Sequence, residues 1–348
     1  MSEPRHQMTK AFITGIAGTT VNADEQAFIA AERPWGFILF RRNIETPEQV
    51  ARLVDELKTC AGRSDIPVLI DQEGGRVQRL GPPHWRAYPP GALFGQLYDL
   101  DPTLGLSAAR LSAWLIAADL SELGISVDCL PLADVPVAGA DAVIGDRAYG
   151  TEPGKVAAIA RAVTNGLEQG GILPVLKHIP GHGRATADSH LRLPTVDTPR
   201  KDLETTDFAA FRPLADLPMA MTAHVVFSAL DPVHPATTSA TIINQVIRGV
   251  IGFQGLLMSD DVSMNALSGS IAERTRAAFL AGCDTVLHCN GNLAEMREVA
   301  AETPELSGKT LQRASRALAS RGTPQPFDKA LARAELEAMM KRAGTAGA

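Results

Sequence analysis

Short apolar segments alternate with amphipathic helical patterns along the chain, and this alternation constrains the fold more than any other feature. The segments of strand length are residues 11–15, 36–40, 67–70, 126–129, 174–176, 219–222, 256–258 and 285–287. Helices are predicted between most of them, including residues 47–60, 104–123, 153–169, 206–214 and 272–281. Strands that are apolar throughout are typical of a parallel sheet covered on both faces. Eight such units in one chain predict an α/β fold, the (β/α)8 or TIM barrel.

The 348 residues are enough for one large domain or two ordinary ones, and a single barrel domain over residues 1–348 is predicted. Residues 306–342 are rich in Ala, Leu, Arg and Glu and predict a C-terminal helical extension, with a break at residues 322–327. Residues 343–348 are expected to form a disordered tail. The alternative fold is an open doubly wound sheet, but no glycine-rich dinucleotide fingerprint follows the first strand.

Composition argues against several classes of partner and location. The net charge is −6 and no basic stripe is present, which disfavours a nucleic-acid ligand. No apolar run of about 18 residues occurs, so no membrane span is expected. The polar N-terminal segment lacks the apolar region of a secretory signal. The cysteines, at positions 60, 129, 283 and 289, show no C-x-x-C spacing, which predicts reduced thiols in a cytosolic protein rather than a zinc site.

A barrel places function just past the carboxyl ends of its strands. Polar or ionisable side chains follow seven of the eight apolar segments, and they are Arg41, Arg42, Asp71, Glu73, Asp128, Asp134, Lys177, His178, His224, Asp260, Asp261, His288 and Asn290. We expect many of these groups to converge on one mouth of the barrel. Asp71 directly follows its strand, so it is expected to lie nearer the barrel than Glu73.

The segment from Lys177 to His190 holds the densest set of chemically active groups. A buried strand over residues 172–176 is predicted to open there into a loop that contains Lys177, His178, His182, Asp188 and His190. Asp188 and His190 are a candidate acid–base pair, because a nearby carboxylate fixes the tautomer of an imidazole and stabilises its protonated form. The alternative is an exposed loop histidine beside an Asx-turn. Lys177 and His178 are candidate hydrogen-bond donors to substrate hydroxyls.

Asp260 follows the apolar run of residues 255–258 and is expected to point into the mouth of the barrel. A carboxylate placed there can be a nucleophile toward a sugar carbon, a metal ligand or a general base. The alternative is that Asp260 or Asp261 caps a helix near residues 262–267. Arg147 is a second candidate, because a guanidinium can fork onto two substrate oxygens, although a structural ion pair would use the same geometry.

Four segments together resemble glycoside hydrolase family 3, and more narrowly its single-domain bacterial β-N-acetylglucosaminidases. They are I-D-Q-E-G-G-R-V-Q-R at residues 70–79, K-H-I-P-G-H-G at 177–183, D-S-H at 188–190 and M-S-D-D-V-S-M at 258–264. The resemblance implies a retaining mechanism in which Asp260 is the nucleophile and His190 the general acid/base, with Asp188 holding His190. It also implies that the sugar is bound by Asp71, Arg79, Arg147, Lys177 and His178.

Further expectations follow from this resemblance. A histidine suits the acid/base role because its unperturbed pKa, about 6.5, lies close to cytosolic pH. The loop around His190 contains several small residues and is expected to close over the substrate. Met258 and Val262 depart from the family's usual residues without changing charge. The larger members add a second α/β domain, and this chain ends too soon for one, so its own loops are expected to form the pocket.

The implied substrate is terminal β-linked N-acetylglucosamine on 1,6-anhydro-N-acetylmuramic acid, with or without the stem peptide. The implied protein is a cytoplasmic monomer in cell-wall recycling that acts on this small molecule without a cofactor or metal.

Three other functions stay open at the level of sequence. A phosphorylase is one, because a histidine in place of a carboxylate repels an incoming phosphate less. A metal-dependent barrel hydrolase is the second, with ligands drawn from Asp260 and the histidines at positions 178, 182, 190, 224 and 288. Against it, no H-x-H follows the first strand and no H-E-x-x-H occurs. A non-catalytic sugar-binding protein is the third, although it would have no need of Asp260, Asp188 and His190 together.

Overall fold

A computed structural model describes residues 9–185, 189 and 192–345, and within them parallel strands close into a barrel. The barrel strands are β1 (Lys10–Thr14), β2 (Pro34–Leu39), β3 (Val68–Ile70), β4 (Val127–Asp128), β5 (Leu173–Ile179), β6 (Met219–Thr222), β7 (Leu256–Asp261) and β8 (Thr285–His288). Each strand pairs with its neighbour in sequence, and β1 pairs with β8 to complete the ring. The predicted (β/α)8 barrel is confirmed.

Helices surround the barrel and pack on its outer face. They are α1 (Ala23–Glu32), α2 (Pro47–Ala61), α3 (Gly91–Leu100), α4 (Pro102–Glu122), α5 (Pro153–Gln169), α6 (Arg200–Thr205), α7 (Asp207–Phe211), α8 (Ile271–Ala281), α9 (Leu293–Glu302), α10 (Gly308–Ala319) and α11 (Lys329–Thr345), with a π-helix at Ile242–Val250. Helix α2 shows why the boundaries are sharp, since Thr46 caps its N-terminus and Gly62 ends it in the left-handed conformation. No helix among the described residues is long and apolar enough to span a membrane.

Strand β7 extends past its predicted end to Asp261, and two further predicted elements differ from the structure. The helix predicted over residues 206–214 is divided into α7 and a 3-10 turn at Arg212–Leu214, where Pro213 supplies no backbone N–H for an α-helical bond. Strand β5 continues to Ile179, so Lys177 and His178 belong to the strand and not to the loop after it. This correction matters because side-chain direction in a strand is set by alternation.

That alternation divides the buried residues into a core inside the barrel and a core between barrel and helices. In β7, Leu256 and Met258 belong to the inner core, and Leu257 belongs to the outer core. Because successive strand residues face opposite sides, the next inward position after Met258 is Asp260. By the same rule, Val175 in β5 is followed on the inner side by Lys177. Polar groups therefore begin where the apolar filling of the barrel ends.

The C-terminal helices complete the opposite end and one side of the barrel. Ala314 and Ala317 of α10 belong to the inner core, so this helix covers the end at which the strands begin. Helix α11 packs against α4, and Lys329 and Arg333 reach Asp119 there. Helix α10 lies within the predicted extension, whereas α11 continues to Thr345, three residues past its predicted end and into the predicted tail. Residues 320–328 separate the two helices, close to the predicted break. Residues 346–348 of the predicted tail lie outside the described residues.

Candidate active site

A cavity of about 340 Å³ opens at the carboxyl end of the strands. Its described lining residues are Ile38, Phe40, Asp71, Arg76, Val77, Arg79, Val143, Ile144, Arg147, Lys177, His178, His182, Ser189, Met221, Asp260, Asp261, Met264, Leu287 and Cys289. This volume lies within the range of small-molecule sites. The structure therefore brings six of the eight residues predicted from sequence into one cavity. The other two, Asp188 and His190, lie outside the described residues.

Lys177 is the centre of a buried ionic network in this cavity. Its ammonium Nζ lies 3.0 Å from Asp71 Oδ1 and 2.6 Å from Glu73 Oε1, and its side chain is only 2% exposed. Arg79 Nη2 donates to Asp71 Oδ2 at 3.0 Å. Burial disfavours the charged form of Asp71, but the positive charges of Lys177 and Arg79 outweigh it and hold its pKa well below the usual range. Asp71 and Lys177 therefore form an ion pair at neutral pH.

Glu73 is more buried than Asp71, although Asp71 and not Glu73 lines the cavity at the strand ends. The Glu73 side chain is 5% exposed and that of Asp71 is 15% exposed. Glu73 lies in a short antiparallel hairpin after β3, which turns at Gly74 and Gly75 with φ of 94° and 56°. Asp71 and Glu73 share Lys177.

Arg147 forks onto Glu73 with both arms of its guanidinium. Arg147 Nε and Nη2 donate to Glu73 Oε2 at 2.9 Å and Oε1 at 2.8 Å, and Nη1 donates to the Val143 carbonyl at 3.1 Å. The alternative of a structural ion pair for Arg147 is therefore realised in this structure. Arg147 also lines the cavity, so its guanidinium is held in place beside the space that a ligand would fill.

His178 is oriented by Asp134, a fully buried carboxylate. His178 Nδ1 lies 2.8 Å from Asp134 Oδ2, and Asp134 Oδ1 accepts the backbone N–H groups of His178 and His182. Burial opposes ionisation of Asp134, but the neighbouring His178 and these hydrogen bonds hold its pKa below the usual range. Burial and the proximity of His178 lower the pKa of His182 to about 4, so His182 is neutral at physiological pH.

The adjacent carboxylates Asp260 and Asp261 have different surroundings. Asp261 accepts from the Ser263 backbone N–H at 2.9 Å, the Ser263 hydroxyl at 2.7 Å and the Cys289 backbone N–H at 3.1 Å. It therefore stabilises a turn, where a helix cap was expected. Asp260 Oδ1 accepts the Asp261 N–H at 2.8 Å, and the Asp260 side chain lines the cavity.

Not every polar group at a strand end reaches the cavity. His224 bonds to the Thr237 hydroxyl and the Asp261 carbonyl, and His288 lies 3.1 Å from Glu295. Arg42 donates to the Ile16 and Cys289 carbonyls. These side chains stabilise connections around the barrel rim. Among the described residues, no group of three or more His, Cys, Asp or Glu side chains is placed to hold a metal ion.

Asp128 is a buried carboxyl group near this network, and its protonation state can be tested. Its Oδ1 accepts the Gln72 backbone N–H at 3.0 Å, while Oδ2 is buried without a hydrogen-bond partner among the described residues. Burial raises the pKa of Asp128 well above the usual value of a carboxyl group. The folded protein therefore binds a proton that the unfolded chain releases above about pH 4.

We expect Asp128→Asn to stabilise the protein relative to wild type increasingly as pH rises. A raised folded-state pKa contributes stability that is present below the unfolded pKa and is lost as pH rises toward the folded pKa. Asparagine keeps the acceptor for Gln72 and removes this titration. The advantage of the variant should grow by up to about 1.4 kcal/mol per pH unit in that window. Urea unfolding at about pH 5 and about pH 8 measures it, and an equal difference at both values would show that Asp128 is ionised when folded.

The amino-acid sequence matches a family model over most of its length. The model described as glycosyl hydrolase family 3 N terminal domain matches residues 6–320. The chain belongs to glycoside hydrolase family 3. The resemblance found in the sequence segments is thereby confirmed at the level of the family.

Individual members of family 3 are similar over most of the chain. A β-hexosaminidase of Alkalilimnicola ehrlichii is 40% identical over 280 residues, covering 79% of each chain. NagZ from Neisseria gonorrhoeae in complex with N-trifluoroacetyl-D-glucosamine is 31% identical, with a TM-score of 0.83, 97% of this chain and 98% of that one covered. The same protein in complex with zinc ion is 31% identical, with a TM-score of 0.85 and coverages of 96% and 99%.

Two carboxylates of this family 3 site were recognised in the sequence only as polar residues after strands. They are Glu73, which pairs with Lys177 and Arg147, and Asp134, which orients His178. A signal for Glu73 was available, because the two glycines after it permit a tight turn that returns the chain toward the strand end. For Asp134 no such signal exists, because its partner His178 lies 44 residues further along the chain.

Proposed function

We propose that this chain is a retaining β-N-acetylglucosaminidase that removes terminal, non-reducing β-linked N-acetylglucosamine. The observation that carries the proposal is the position of Asp260, an inward-facing carboxylate at the end of β7 in the same cavity as the Asp71–Lys177 pair. The cavity thus combines a candidate nucleophile with groups that donate to and accept from sugar hydroxyls. The β-hexosaminidases and NagZ structures that resemble the chain support the same activity.

In the proposed reaction, Asp260 attacks the anomeric carbon and forms a covalent glycosyl-enzyme while the aglycone oxygen leaves. His190, oriented by Asp188, donates a proton to that oxygen and then removes a proton from the water that releases the sugar. The proposed roles of these two residues rest on the D-S-H motif. Asp261 also lines the cavity, but it is not proposed as the nucleophile because its carboxylate accepts from Ser263 and Cys289.

The remaining cavity residues are proposed to hold the sugar. Asp71 supplies acceptor oxygens, and donors come from Lys177, Arg79, Arg147 and His178. Each of these donor side chains is held by a contact with a neighbouring carboxylate. Because these groups are already paired with one another, their positions are set before the ligand arrives, and little side-chain freedom is lost on binding. We propose that a single barrel domain provides the entire site.

The proposed natural substrate is N-acetylglucosamine linked to 1,6-anhydro-N-acetylmuramic acid, with or without its peptide. The proposed setting is the cytoplasm, where a monomer would act on imported fragments of peptidoglycan. The N. gonorrhoeae relative crystallised with an N-acyl glucosamine derivative supports the sugar part of this assignment.

Release of 4-nitrophenol from its β-N-acetylglucosaminide, in phosphate-free buffer with chelator, tests the activity. We expect turnover, with free N-acetylglucosamine as product and the β-anomer formed first. Formation of sugar 1-phosphate after phosphate is added would instead identify a phosphorylase. Loss of activity with chelator and its recovery with added metal would identify a metal-dependent hydrolase. Release of N-acetylglucosamine from purified muropeptides tests the natural substrate, and failure there would refute that part of the proposal alone.

A further inference from the structure

Glu73 contacts two of the cations that are proposed to bind the sugar, Lys177 and Arg147. Its Oε1 lies 2.6 Å from Lys177 Nζ and 2.8 Å from Arg147 Nη2, and its Oε2 lies 2.9 Å from Arg147 Nε. Burial disfavours its charged form, but Lys177 and Arg147 outweigh that effect and hold its pKa below the usual range. Among the described residues, the donors that meet this carboxylate thus belong to proposed ligand-binding side chains.

We propose that Glu73 is a positioning residue that holds Arg147 and Lys177 in the arrangement that binds the sugar. This inference rests on the proposed function. Glu73 joins elements that are distant in sequence, since Arg147 lies 74 residues further along and Lys177 lies on β5. No other described carboxylate contacts both cations within ion-pair distance.

The geometry explains why another acceptor would not replace it. A carboxylate accepts two parallel hydrogen bonds from a guanidinium, and an amide of the same shape has only one acceptor oxygen. In Glu73→Gln, the amide nitrogen would face a donor on Arg147 or Lys177. Arg147 would keep its bond to the Val143 carbonyl but lose the fork that sets the plane of its guanidinium.

Loss of the Glu73 carboxylate should therefore weaken ligand binding. Glu73→Gln leaves Asp260, Asp188 and His190 unchanged, so the chemical step on bound substrate should be less affected than binding. We expect KM for the 4-nitrophenyl glycoside, and Kd for N-acetylglucosamine measured by calorimetry, to rise roughly tenfold or more, with a smaller fall in kcat.

Asp284→Asn is the matched control. Asp284 is also a buried carboxylate between two cations, with Arg313 Nη1 at 2.9 Å from Oδ1 and Arg248 Nη2 at 2.7 Å from Oδ2. It directly precedes β8, so it lies at the opposite end of the barrel from the cavity. Its variant should lower Tm in the way that any broken buried pair does, while KM and Kd stay at wild-type values well below Tm.

A rise in KM and Kd in Glu73→Gln but not in Asp284→Asn supports the inference. Equal KM and Kd in both variants and in wild type would overturn it, because Glu73 would then stabilise the fold only. If Glu73→Gln does not fold, Glu73→Asp keeps the charge but is one methylene short, and unchanged affinity in that variant would equally overturn the inference.

Two further outcomes separate this inference from the function on which it rests. A wild type that binds N-acetylglucosamine without turnover refutes the proposed activity, while the Kd comparison still decides the role of Glu73. A wild type that neither binds nor turns over the sugar overturns both. In the double variant with Arg147→Ala, the two increases in KM should be less than multiplicative, because Glu73 acts partly through Arg147.

Discussion

Replacing Asp260 by Asn is expected to lower kcat by roughly 10⁴-fold, about 5 kcal/mol of transition-state stabilisation. Asparagine has the same shape and retains an oxygen that can accept the Asp261 N–H, so the end of β7 should keep its conformation. What is lost is the anionic oxygen that would form the bond to the anomeric carbon. Steady-state kinetics on the 4-nitrophenyl glycoside, with circular dichroism to confirm folding, measure the effect.

Asp261→Asn is the natural control for this experiment, since it makes the same chemical change one residue along the chain. Asp261 is engaged by Ser263 and Cys289, so its variant should lose stability more than activity. A 2-fluoro sugar with a good leaving group should add its mass to the wild-type peptide that carries Asp260. Labelling elsewhere, or equal loss of kcat in both variants, would refute the nucleophile assignment.

Replacing Lys177 by Met is expected to lower the free energy of unfolding at neutral pH by about 3–5 kcal/mol and to weaken sugar binding. The substitution removes the cation shared by Asp71 and Glu73 and leaves both carboxylates in a buried site. Each has a folded-state pKa below its usual range, so its contribution to stability is present above the unfolded pKa and is lost as pH falls. The difference between variant and wild type should therefore shrink at acid pH.

Urea unfolding at about pH 7 and about pH 4 measures this dependence. Lys155→Met provides the control, because Lys155 pairs with the exposed Asp99 at the surface. Its effect should be less than about 1 kcal/mol and nearly independent of pH over this range. A pH-independent loss in Lys177→Met would indicate that packing of the lysine stem, and not its charge, stabilises this part of the barrel.

The sequence was sufficient to predict the barrel because a parallel sheet covered on both faces requires strands that are apolar at every position. Met219–Thr222 was predicted with the bounds that the structure has, and the other strands were located within a few residues. Strand β5 was predicted too short, because Lys177 and His178 are polar. Their buried partners, Asp71 and Asp134, lie far away in sequence and were not visible to a reading based on apolar runs.

The sequence also determined which carboxylates and cations follow the strands, and the alternation within a strand indicates that Lys177 and Asp260 face inward. Tertiary structure alone decided which of the other polar groups join them. His224 and His288 resemble His178 as strand-end residues, yet they bond to neighbours around the rim. Glu73 lies in a hairpin after β3 and meets a guanidinium from a distant segment. Past the end of a strand, the direction of a side chain depends on partners that are distant in sequence. The local sequence there has no periodic pattern from which those partners could be predicted.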